Sequence, residues 1–549
     1  MKWYGKTLSL LLLILPLVTP AQAQSGDVRP ALPGNPSLGK GTTGSALEIR
    51  PEEQQFADLA LEEPSSAGFY YDNTGEMVVL VSDAARDAAV LDKMRGAVAA
   101  HRLLGPGGGR PSSRIRAARA KYTFWQLAAW RDIAFDHVLG QMEGVTWLDL
   151  DEKANRVTLG ITADHFASMQ GPVREKLRSL GVEPAAVAFK KVGEHDYDQS
   201  YTPPGTINQQ TSDPIAGGLD MLLQHNDGSW GACTIGFAAQ RNGVAGIVSN
   251  SHCTTFMFNP DTDPVYQLYP RQIATASVDP NAYTCGVRRC RGADAAFFST
   301  TNVAPMGVGL IARTTAPNSG GLGGGAGSRA VDPSRPYWYV TGEEQENLWV
   351  GQRVDKVGAT TGWTYGNVTA TCVDHQPDGN SVMRCAYEAD YAADHGDSGG
   401  PVFVINDWQA SRVTLAGIHS GRDDWRGFGS GRARFAKLAR IKSDLGGTWV
   451  VKHPSPPPPT PQPLSASIGG PSAVAAGQTY TWDAFAGGGT PPYTYQWGGP
   501  ISGTNPSASG ALYSSDVIGL TVWDATGASV YSTLYVTVCP DGQITCEPY

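Results

Sequence analysis

The chain has 549 residues, which is too long for one hydrophobic core and suggests about three to four domains. Its composition is that of a globular protein rich in Gly (66) and Pro (38). The formal net charge is −9 and no run of Lys and Arg occurs, so nothing in the sequence indicates nucleic-acid binding.

Residues 1–23 predict an export signal. Lys2 and Lys6 provide a positive start, and residues 8–18 form an apolar run that is too short to span a bilayer. Ala-Gln-Ala at residues 21–23 fits a cleavage site with small residues. A membrane anchor is the alternative. We expect a protein without a membrane span, secreted to the extracellular space or the periplasm.

The cysteines fit that expectation, because export allows disulfides and their number, eight, is even. They occur as four neighbouring pairs: Cys233 and Cys253, Cys285 and Cys290, Cys372 and Cys385, Cys539 and Cys546. Sequential pairing is a hypothesis, since eight cysteines allow about a hundred connectivities. Metal binding is the weaker alternative, because no Cys-x-x-Cys or His-x-x-x-His spacing occurs. No cofactor is expected.

The first third of the chain divides into two parts. Residues 24–68 are rich in Pro, Gly and Ser and predict a flexible segment. Residues 69–210 predict a mixed α/β region that contains no cysteine. Its pattern indicates a strand at 76–82, helices at 83–103 and 122–141, and a hairpin from 145–150 and 156–161.

The rest of the chain predicts β structure. Residues 211–452 have short apolar runs between Gly, Asn, Asp and Pro clusters, as in an all-β domain. Residues 453–463 are a Pro-rich linker, and residues 464–549 fit a small immunoglobulin-like β-sandwich. Its aromatic residues are candidates for binding a substrate or a cell surface, although a sandwich core is favoured for them: Trp482, Tyr493, Tyr495, Trp497 and Trp523.

The most specific motif is Gly-Asp-Ser-Gly-Gly-Pro at residues 396–401. A nucleophilic Ser398 requires a general base and donors for an oxyanion. The glycines allow the N–H groups of Gly396 and Ser398 to point at one spot. Asp397 is a candidate activation switch that pairs with a newly formed α-amino group. A Gly-rich turn between strands is the alternative to a catalytic serine.

His252 is the best candidate for the base. It lies beside Cys253 and follows the apolar segment 244–248, and a bridge to Cys233 would hold its loop rigid. A histidine satisfied by its neighbours is the alternative. Asp294 begins an apolar strand and is the candidate that orients the imidazole, with Asp279 as the weaker one.

The order His252, Asp294, Ser398 is that of chymotrypsin, whereas subtilisins and α/β-hydrolases use other orders. An esterase of the α/β-hydrolase type is therefore disfavoured. The order predicts an all-β double barrel with the site at the seam.

Residues 211–450 resemble the bacterial chymotrypsin-like serine proteases of the streptogrisin and α-lytic protease group. The matching segments are 215–218 (Ile-Ala-Gly-Gly), 233–237 (Cys-Thr-Ile-Gly-Phe), 251–253 (Ser-His-Cys), 293–295 (Ala-Asp-Ala), 356–362 (Lys-Val-Gly-Ala-Thr-Thr-Gly) with Gly366, 396–401, and 417–421 (Gly-Ile-His-Ser-Gly). The resemblance implies a serine endopeptidase with His252, Asp294 and Ser398 as its triad, Gly396 as an oxyanion donor and Ser420 beside the aspartate.

The same resemblance implies a precursor. Residues 69–200, and 144–157 best, look like a pro-region that assists folding and blocks the site, with processing near residues 212–215. The expected partners are peptide or protein substrates and this pro-region, in a monomer. Two departures are Ser-Asn-Ser at 249–251, where Thr-Ala-Ala or Thr-Ala-Gly is usual, and Arg422, where glycine is usual.

The residues before the nucleophile predict the primary pocket. Ala392 takes its deepest position, which argues against a preference for Lys or Arg. Basic or titratable residues line the pocket at His395, His419 and Arg422, alongside Ser420 and Gly421. In glutamate-specific members a histidine resembling His419 contacts the substrate carboxylate, so we hypothesise a preference for Glu or Asp. Small apolar side chains are the alternative, and an inactive protease-like binding protein is the alternative function.

Overall fold

The computed structural model describes residues 50–72, 76–99, 115–193, 195–197, 214–267, 269–300, 306–319, 325–344, 348–377, 379, 381–423, 432–454, 464–487, 489 and 492–539. The predicted export signal, most of the linker and Cys546 lie outside these residues. The described chain is mostly β-strand with few helices, in agreement with the expected fold class at that level. None of its helices has the length and apolar character needed to cross a membrane.

The N-terminal region (residues 50–197) is mixed α/β. Its elements are α1 (Gln54–Glu62), β1 (Ser66–Tyr71), β2 (Met77–Val81), α2 (Asp87–Ala99), β3 (Ile115–Arg119), α3 (Phe124–His137), β4 (Val145–Asp151), β5 (Arg156–Thr162), α4 (Phe166–Ser179), β6 (Val187–Val192) and β7 (His195–Tyr197). Helix α3 begins at a capping box between Thr123 and Gln126. Both predicted helices are present: α2 begins at Asp87 and its predicted end lies outside the described residues, and α3 is shorter than the predicted 122–141. The predicted hairpin is β4–β5.

The prediction of a flexible segment at residues 24–68 was wrong for its last part. Phe56, Ala57 and Ala60 occupy one face of α1 and are buried in the core of the N-terminal region. Phe56 packs edge-on against Phe69, with ring centroids 5.0 Å apart. The apolar stripe is only three residues long and lies among Glu and Gln, which is why the sequence pattern did not reveal the helix.

The central region (residues 214–452) is built almost entirely from strands. Its elements are β8 (Ile215–Gly217), β9 (Asp220–Gln224), β10 (Trp230–Thr234), β11 (Phe237–Arg241), β12 (Val244–Ser249), β13 (Pro264–Tyr266), β14 (Gln272–Val278), β15 (Tyr283–Cys285), β16 (Arg288–Arg291), β17 (Ala296–Thr300), β18 (Met306–Ala312), β19 (Asn318–Ser319), β20 (Tyr337–Glu343), β21 (Arg353–Gly358), β22 (Gly362–His375), β23 (Ser381–Ala389), β24 (Pro401–Asp407), β25 (Arg412–Asp423), β26 (Ala433–Lys437), α5 (Leu438–Leu445) and β27 (Thr448–Val450).

Two sheets position the residues of the site. One has the strand order β10-β9-β13-β14-β17-β12-β11-β27. In it, Ser249 at the end of β12 pairs with Ala296 at the start of β17. The segments that follow β12 and precede β17 therefore lie at the same end of this sheet. The second sheet contains β23-β26-β25-β24-β21-β22, and the segment between β23 and β24 carries Ser398.

The N-terminal region extends the second sheet at two places. Strand β4 pairs with β22, with Leu148 opposite Asp374 and Trp147 opposite His375. Strand β7 pairs with the end of β25, where Tyr197, Asp196 and His195 lie opposite Gly421, Arg422 and Asp423.

The C-terminal module (residues 464–539) has two sheets around one core. Its strands are β28 (Ser465–Gly469), β29 (Ala473–Ala475), β30 (Thr479–Gly487), β31 (Thr494–Gly498), β32 (Ser507–Ala511), β33 (Asp516–Trp523) and β34 (Ser529–Cys539). The sheet orders are β28-β30-β32 and β29-β34-β33-β31. Trp482 and Trp497 are buried in the core, as favoured for them, and Tyr493, Tyr495 and Trp523 are partly buried.

Three disulfides link Cys233 with Cys253, Cys285 with Cys290, and Cys372 with Cys385. These are three of the four pairs that the sequence predicted. The fourth, between Cys539 and Cys546, includes a residue outside the described part of the chain.

Candidate active site

The Ser398 loop has a backbone that depends on glycine. Gly396 and Gly399 adopt φ values of +102° and +85°, which disfavour residues with a Cβ atom. A Cβ atom on Gly399 would also lie 2.0 Å from Ser249 Oγ and 2.4 Å from the Thr234 carbonyl oxygen. Thr234 holds the loop in place, since its backbone N–H donates to the Ser398 carbonyl at 2.7 Å.

Asp397 has a partner inside the protein already. The Lys356 ammonium lies 2.7 Å from its carboxylate, and neither side chain is exposed to solvent. Two backbone N–H groups, of Thr360 and Thr361, donate to the same carboxylate at 3.0 Å. Burial alone would raise the pKa of Asp397, but Lys356 and the hydrogen bonds from Thr361 outweigh it and hold that pKa below its ordinary value.

In this unprocessed chain Asp397 pairs with Lys356, and its pairing with a newly formed α-amino group stays a prediction. The segment around Lys356 resembles the family motif, but no sequence pattern indicates a role for this lysine. Lys356 reaches Asp397 because β21 ends beside the Ser398 loop, which no local pattern indicates.

His252 lies in a short 3₁₀ turn, Ser251–Cys253, directly after β12. The disulfide from Cys253 to Cys233 ties this turn to β10. Asp294 lies just before β17, at the same end of the sheet. Its Oδ1 accepts the His252 backbone N–H at 3.1 Å, and its Oδ2 lies 2.5 Å from His252 Nδ1.

Ser398, His252 and Asp294 therefore form one continuous set. Ser398 Oγ lies 2.8 Å from His252 Nε2, and all three side chains are buried. With Nδ1–H donating to the carboxylate, Nε2 presents its lone pair to the Ser398 hydroxyl and can accept its proton. The arrangement can deprotonate a serine hydroxyl and stabilise the resulting imidazolium.

Two backbone N–H groups lie at the nucleophile, one on Gly396 and one on Ser398 itself. In the part of the chain that the structure describes, the N–H groups of Gly396 and Ser398 have no hydrogen-bond acceptor. Such donors at a nucleophile can bind the oxygen on which negative charge develops.

Asp279, the weaker candidate for the third residue, occupies a different place. Its carboxylate accepts from Ser251 Oγ at 2.5 Å and from Arg291 at 3.2 Å. Burial raises the pKa of Asp279 to about 7, against the lowering effect of those two partners. It supports the turn that carries His252 instead of contacting the imidazole.

The predicted pocket residues surround the same loop. Ala392 is buried, and its carbonyl accepts from Thr364 Oγ1 at 2.7 Å. His419 is buried on β25, with Nδ1 3.1 Å from Tyr391 Oη. His395, in contrast, is exposed, so its side chain does not form a buried wall.

Ser420 and Gly421 continue β25 past the nucleophile. The Ser420 carbonyl accepts from Ser398 Oγ at 3.5 Å. The Ser420 hydroxyl donates to the Arg434 carbonyl at 3.3 Å, and among the described residues no hydrogen bond joins it to Asp294.

Arg422 is buried and paired. Its guanidinium lies 2.9 Å from the Asp394 carboxylate and donates to the Ala393 carbonyl at 3.2 Å. Asp394 therefore offsets the positive charge that the sequence analysis assigned to this wall. Asp394 has no signal of its own in the sequence, because its effect depends on a residue 28 positions away on β25.

Among the residues that the structure describes, two groups of cysteine, histidine and acidic side chains are close enough to bind a metal: Cys233, His252 and Cys253, and Glu52, Cys372 and Cys385. The cysteines of both groups are joined in disulfides and offer no thiolate. Neither group fits a metal ion.

Comparison with models of known protein families and with curated proteins gave no match to this chain.

Proposed function

We propose that the protein is a secreted serine endopeptidase, made as a precursor that its N-terminal region inhibits. One observation carries the proposal: Ser398 Oγ, His252 and Asp294 form a hydrogen-bonded series of 2.8 Å and 2.5 Å beside two backbone donors without acceptors among the described residues. Disulfides add support for an oxidising compartment, and the predicted export signal adds support for secretion.

The reaction would proceed by acyl transfer. Ser398 Oγ attacks the peptide carbonyl carbon while His252 Nε2 takes the hydroxyl proton. Gly396 and Ser398 N–H groups stabilise the oxyanion, and Asp294 stabilises the imidazolium. His252 then gives its proton to the leaving amine as the C–N bond breaks. Water, deprotonated by the same imidazole, hydrolyses the acyl-enzyme and restores Ser398.

We propose the chymotrypsin-type double barrel as the fold of the central region. One sheet supplies the turns with His252 and Asp294, and a second sheet supplies the Ser398 loop. A site assembled between two β units, with the residue order of chymotrypsin, supports this assignment and the resemblance to the streptogrisin and α-lytic protease group.

The N-terminal region is positioned to inhibit this site. Strand β7 lies antiparallel to residues 421–423 of β25, directly after Ser420. An extended peptide commonly binds an exposed sheet edge by adding a strand in this way. While β7 occupies that edge, a substrate has no strand with which to pair.

Inhibition by occupancy agrees with the state of the site itself. The Lys356–Asp397 pair and the Ser398–His252 hydrogen bond are already formed with the N-terminal region in place. Removal of β7 would therefore open an assembled site, and no rearrangement of the Ser398 loop would be needed.

Further contacts join the two regions. Trp147 of β4 donates to the Glu388 carboxylate of β23 at 3.0 Å, and Lys190 of β6 pairs with the same carboxylate at 3.1 Å. His195 of β7 lies 2.8 Å from an Arg434 nitrogen of β26. These buried and partly buried polar contacts support a specific inhibitory complex.

Substrate preference is a testable part of the proposal. We expect the mature protein to cleave a peptide library preferentially after Glu or Asp, because the His419 backbone pairs with Gly399 and Gly400 and Arg422 contacts Ala393 in the segment before Ser398. Asp394→Asn removes the carboxylate that pairs with Arg422, so we expect kcat/KM for Glu relative to Ala to rise about tenfold.

Asp332→Asn is the matched control, since the Asp332 side chain caps a turn around Ser334. Cleavage mainly after Ala, Val or Phe, unchanged by Asp394→Asn, would reject the acidic preference. No cleavage of any peptide by the mature protein would favour the inactive binding protein.

A further inference from the structure

Three ionisable side chains outside the proposed triad hold the turns that carry His252 and Asp294. We infer that Asp279, Arg291 and Asp444 form a brace that positions His252 and Asp294 for catalysis. This inference rests on the proposed function. It makes Asp444 of α5 a positioning residue, a role that no sequence motif around it indicates.

Asp444 holds the turn before Asp294. Its Oδ2 accepts the backbone N–H groups of Gly292 at 3.0 Å and Ala293 at 2.9 Å. These are the two residues immediately before Asp294. The turn approaches the carboxylate so closely that a Cβ atom on Gly292 would lie 2.9 Å from Asp444 Oδ1. Helix α5, which belongs to neither turn, thus fixes the backbone that orients the Asp294 side chain.

Arg291 connects Asp444 to the rest of the brace. Its Nε donates to Asp444 Oδ2 at 3.0 Å, and a terminal nitrogen donates to Asp279 Oδ1 at 3.2 Å. The other terminal nitrogen donates to the Ala295 carbonyl at 3.2 Å, on the far side of Asp294. The guanidinium is buried, and its rigid fork spans both sides of the Asp294 turn.

Asp279 holds the turn of the histidine. Its Oδ2 accepts from Ser251 Oγ at 2.5 Å, and Ser251 directly precedes His252. The same Ser251 oxygen accepts the Phe258 backbone N–H at 2.7 Å, which closes the loop after the histidine. The carboxylates therefore hold one turn each, and Arg291 fixes the distance between them.

The expected effect follows from the geometry of proton transfer. Displacement of a catalytic group by about 1 Å can lower the rate by about 100-fold. None of the brace residues contacts the pocket residues Ala392, His419 or Arg422 through the hydrogen bonds and ion pairs described above. Loss of the brace should therefore lower kcat and leave KM nearly unchanged.

The test uses the full-length chain with Asp444→Ala, Asp444→Asn and Ser443→Ala, each matured before assay. We expect Asp444→Ala to lower kcat about 10- to 100-fold with KM within about twofold. Asp444→Asn keeps an oxygen acceptor for Gly292 and Ala293 and should lose about fivefold or less. Ser443 is exposed on the same helix and serves as the control.

A second measurement covers variants that do not mature. The proton between His252 Nδ1 and Asp294 should give a low-field ¹H NMR resonance in the full-length Ser398→Ala chain, and the resonance should broaden or move upfield when Asp444→Ala is added to that chain. An unchanged kcat and resonance in Asp444→Ala would overturn the brace, as would a rise in KM alone. If the wild-type chain hydrolyses no peptide, the proposed function fails, and the resonance still tests the brace.

Discussion

Ser398→Ala is expected to abolish peptide hydrolysis, with kcat lower by a factor on the order of 10⁶. The hydroxyl that bonds to His252 Nε2 is the nucleophile of the proposed reaction, and alanine offers no substitute. The same variant should remain a full-length precursor, whereas the wild-type chain should be cleaved near residues 205–215. Activity assays and N-terminal sequencing of both products check this result.

Ser334→Ala is the matched control, because Ser334 is exposed in a surface turn. It should mature and hydrolyse peptides like the wild type. Equal processing of wild type and Ser398→Ala would show that another protease matures the chain. Equal hydrolysis by the two would contradict the assignment of the nucleophile.

Lys356→Met is expected to have the second largest effect. It leaves Asp397 buried without its ammonium partner, and breaking a buried pair in this way costs about 3–5 kcal/mol of unfolding free energy. Since Asp397 shapes the Ser398 loop, kcat should also fall about 100-fold or more. Lys356→Arg preserves the charge and should retain most of the unfolding free energy and most of kcat.

Stability should change with pH in opposite directions in the wild type and in Lys356→Met. In the wild type the pKa of Asp397 is lower in the folded than in the unfolded state, so the pair stabilises the fold above about pH 4 and the stabilisation is lost as the pH falls through the folded-state pKa. Without Lys356, burial should raise that pKa, and stability should instead decrease as the pH rises past about 4.

Denaturant unfolding from pH 3 to 8 measures the loss of stability and its pH dependence. The variants are made in a Ser398→Ala background, which prevents self-digestion. Identical profiles for Lys356→Met and Lys356→Arg would show that the ammonium does not hold Asp397.

The sequence predicted the parts of the site that have local signatures. Ser398 lies in a six-residue motif, His252 lies beside a cysteine, and Asp294 directly precedes an apolar strand. The structure brings these three residues together. Three sequential disulfides were predicted for the same reason, since their cysteines are neighbours in the chain.

The residues that the sequence did not reveal act over long separations. Lys356 is 41 positions from Asp397, and Asp444 is more than 150 positions from Gly292. Such contacts depend on how strands pair, and a single sequence carries no local pattern for them. The same applies to β7, which has only three residues and whose proposed inhibitory role depends on its pairing with β25.

The sequence also did not reveal that the charge of Arg422 is compensated by a nearby carboxylate. The sequence shows Arg422 as a positive wall of the pocket, but the structure places Asp394 against it. The acidic preference therefore depends on His419 and on how far Asp394 neutralises Arg422, which the Asp394→Asn variant measures.

Covalent labelling of the mature wild-type protein with a peptidyl phosphonate tests the central claim most directly. Mass spectrometry of the digested adduct should place one phosphonyl group on Ser398, with no adduct in Ser398→Ala and a strongly reduced labelling rate in His252→Ala. A mature wild-type protein that gains no mass, or carries the group on a residue other than Ser398, would contradict the proposed serine endopeptidase.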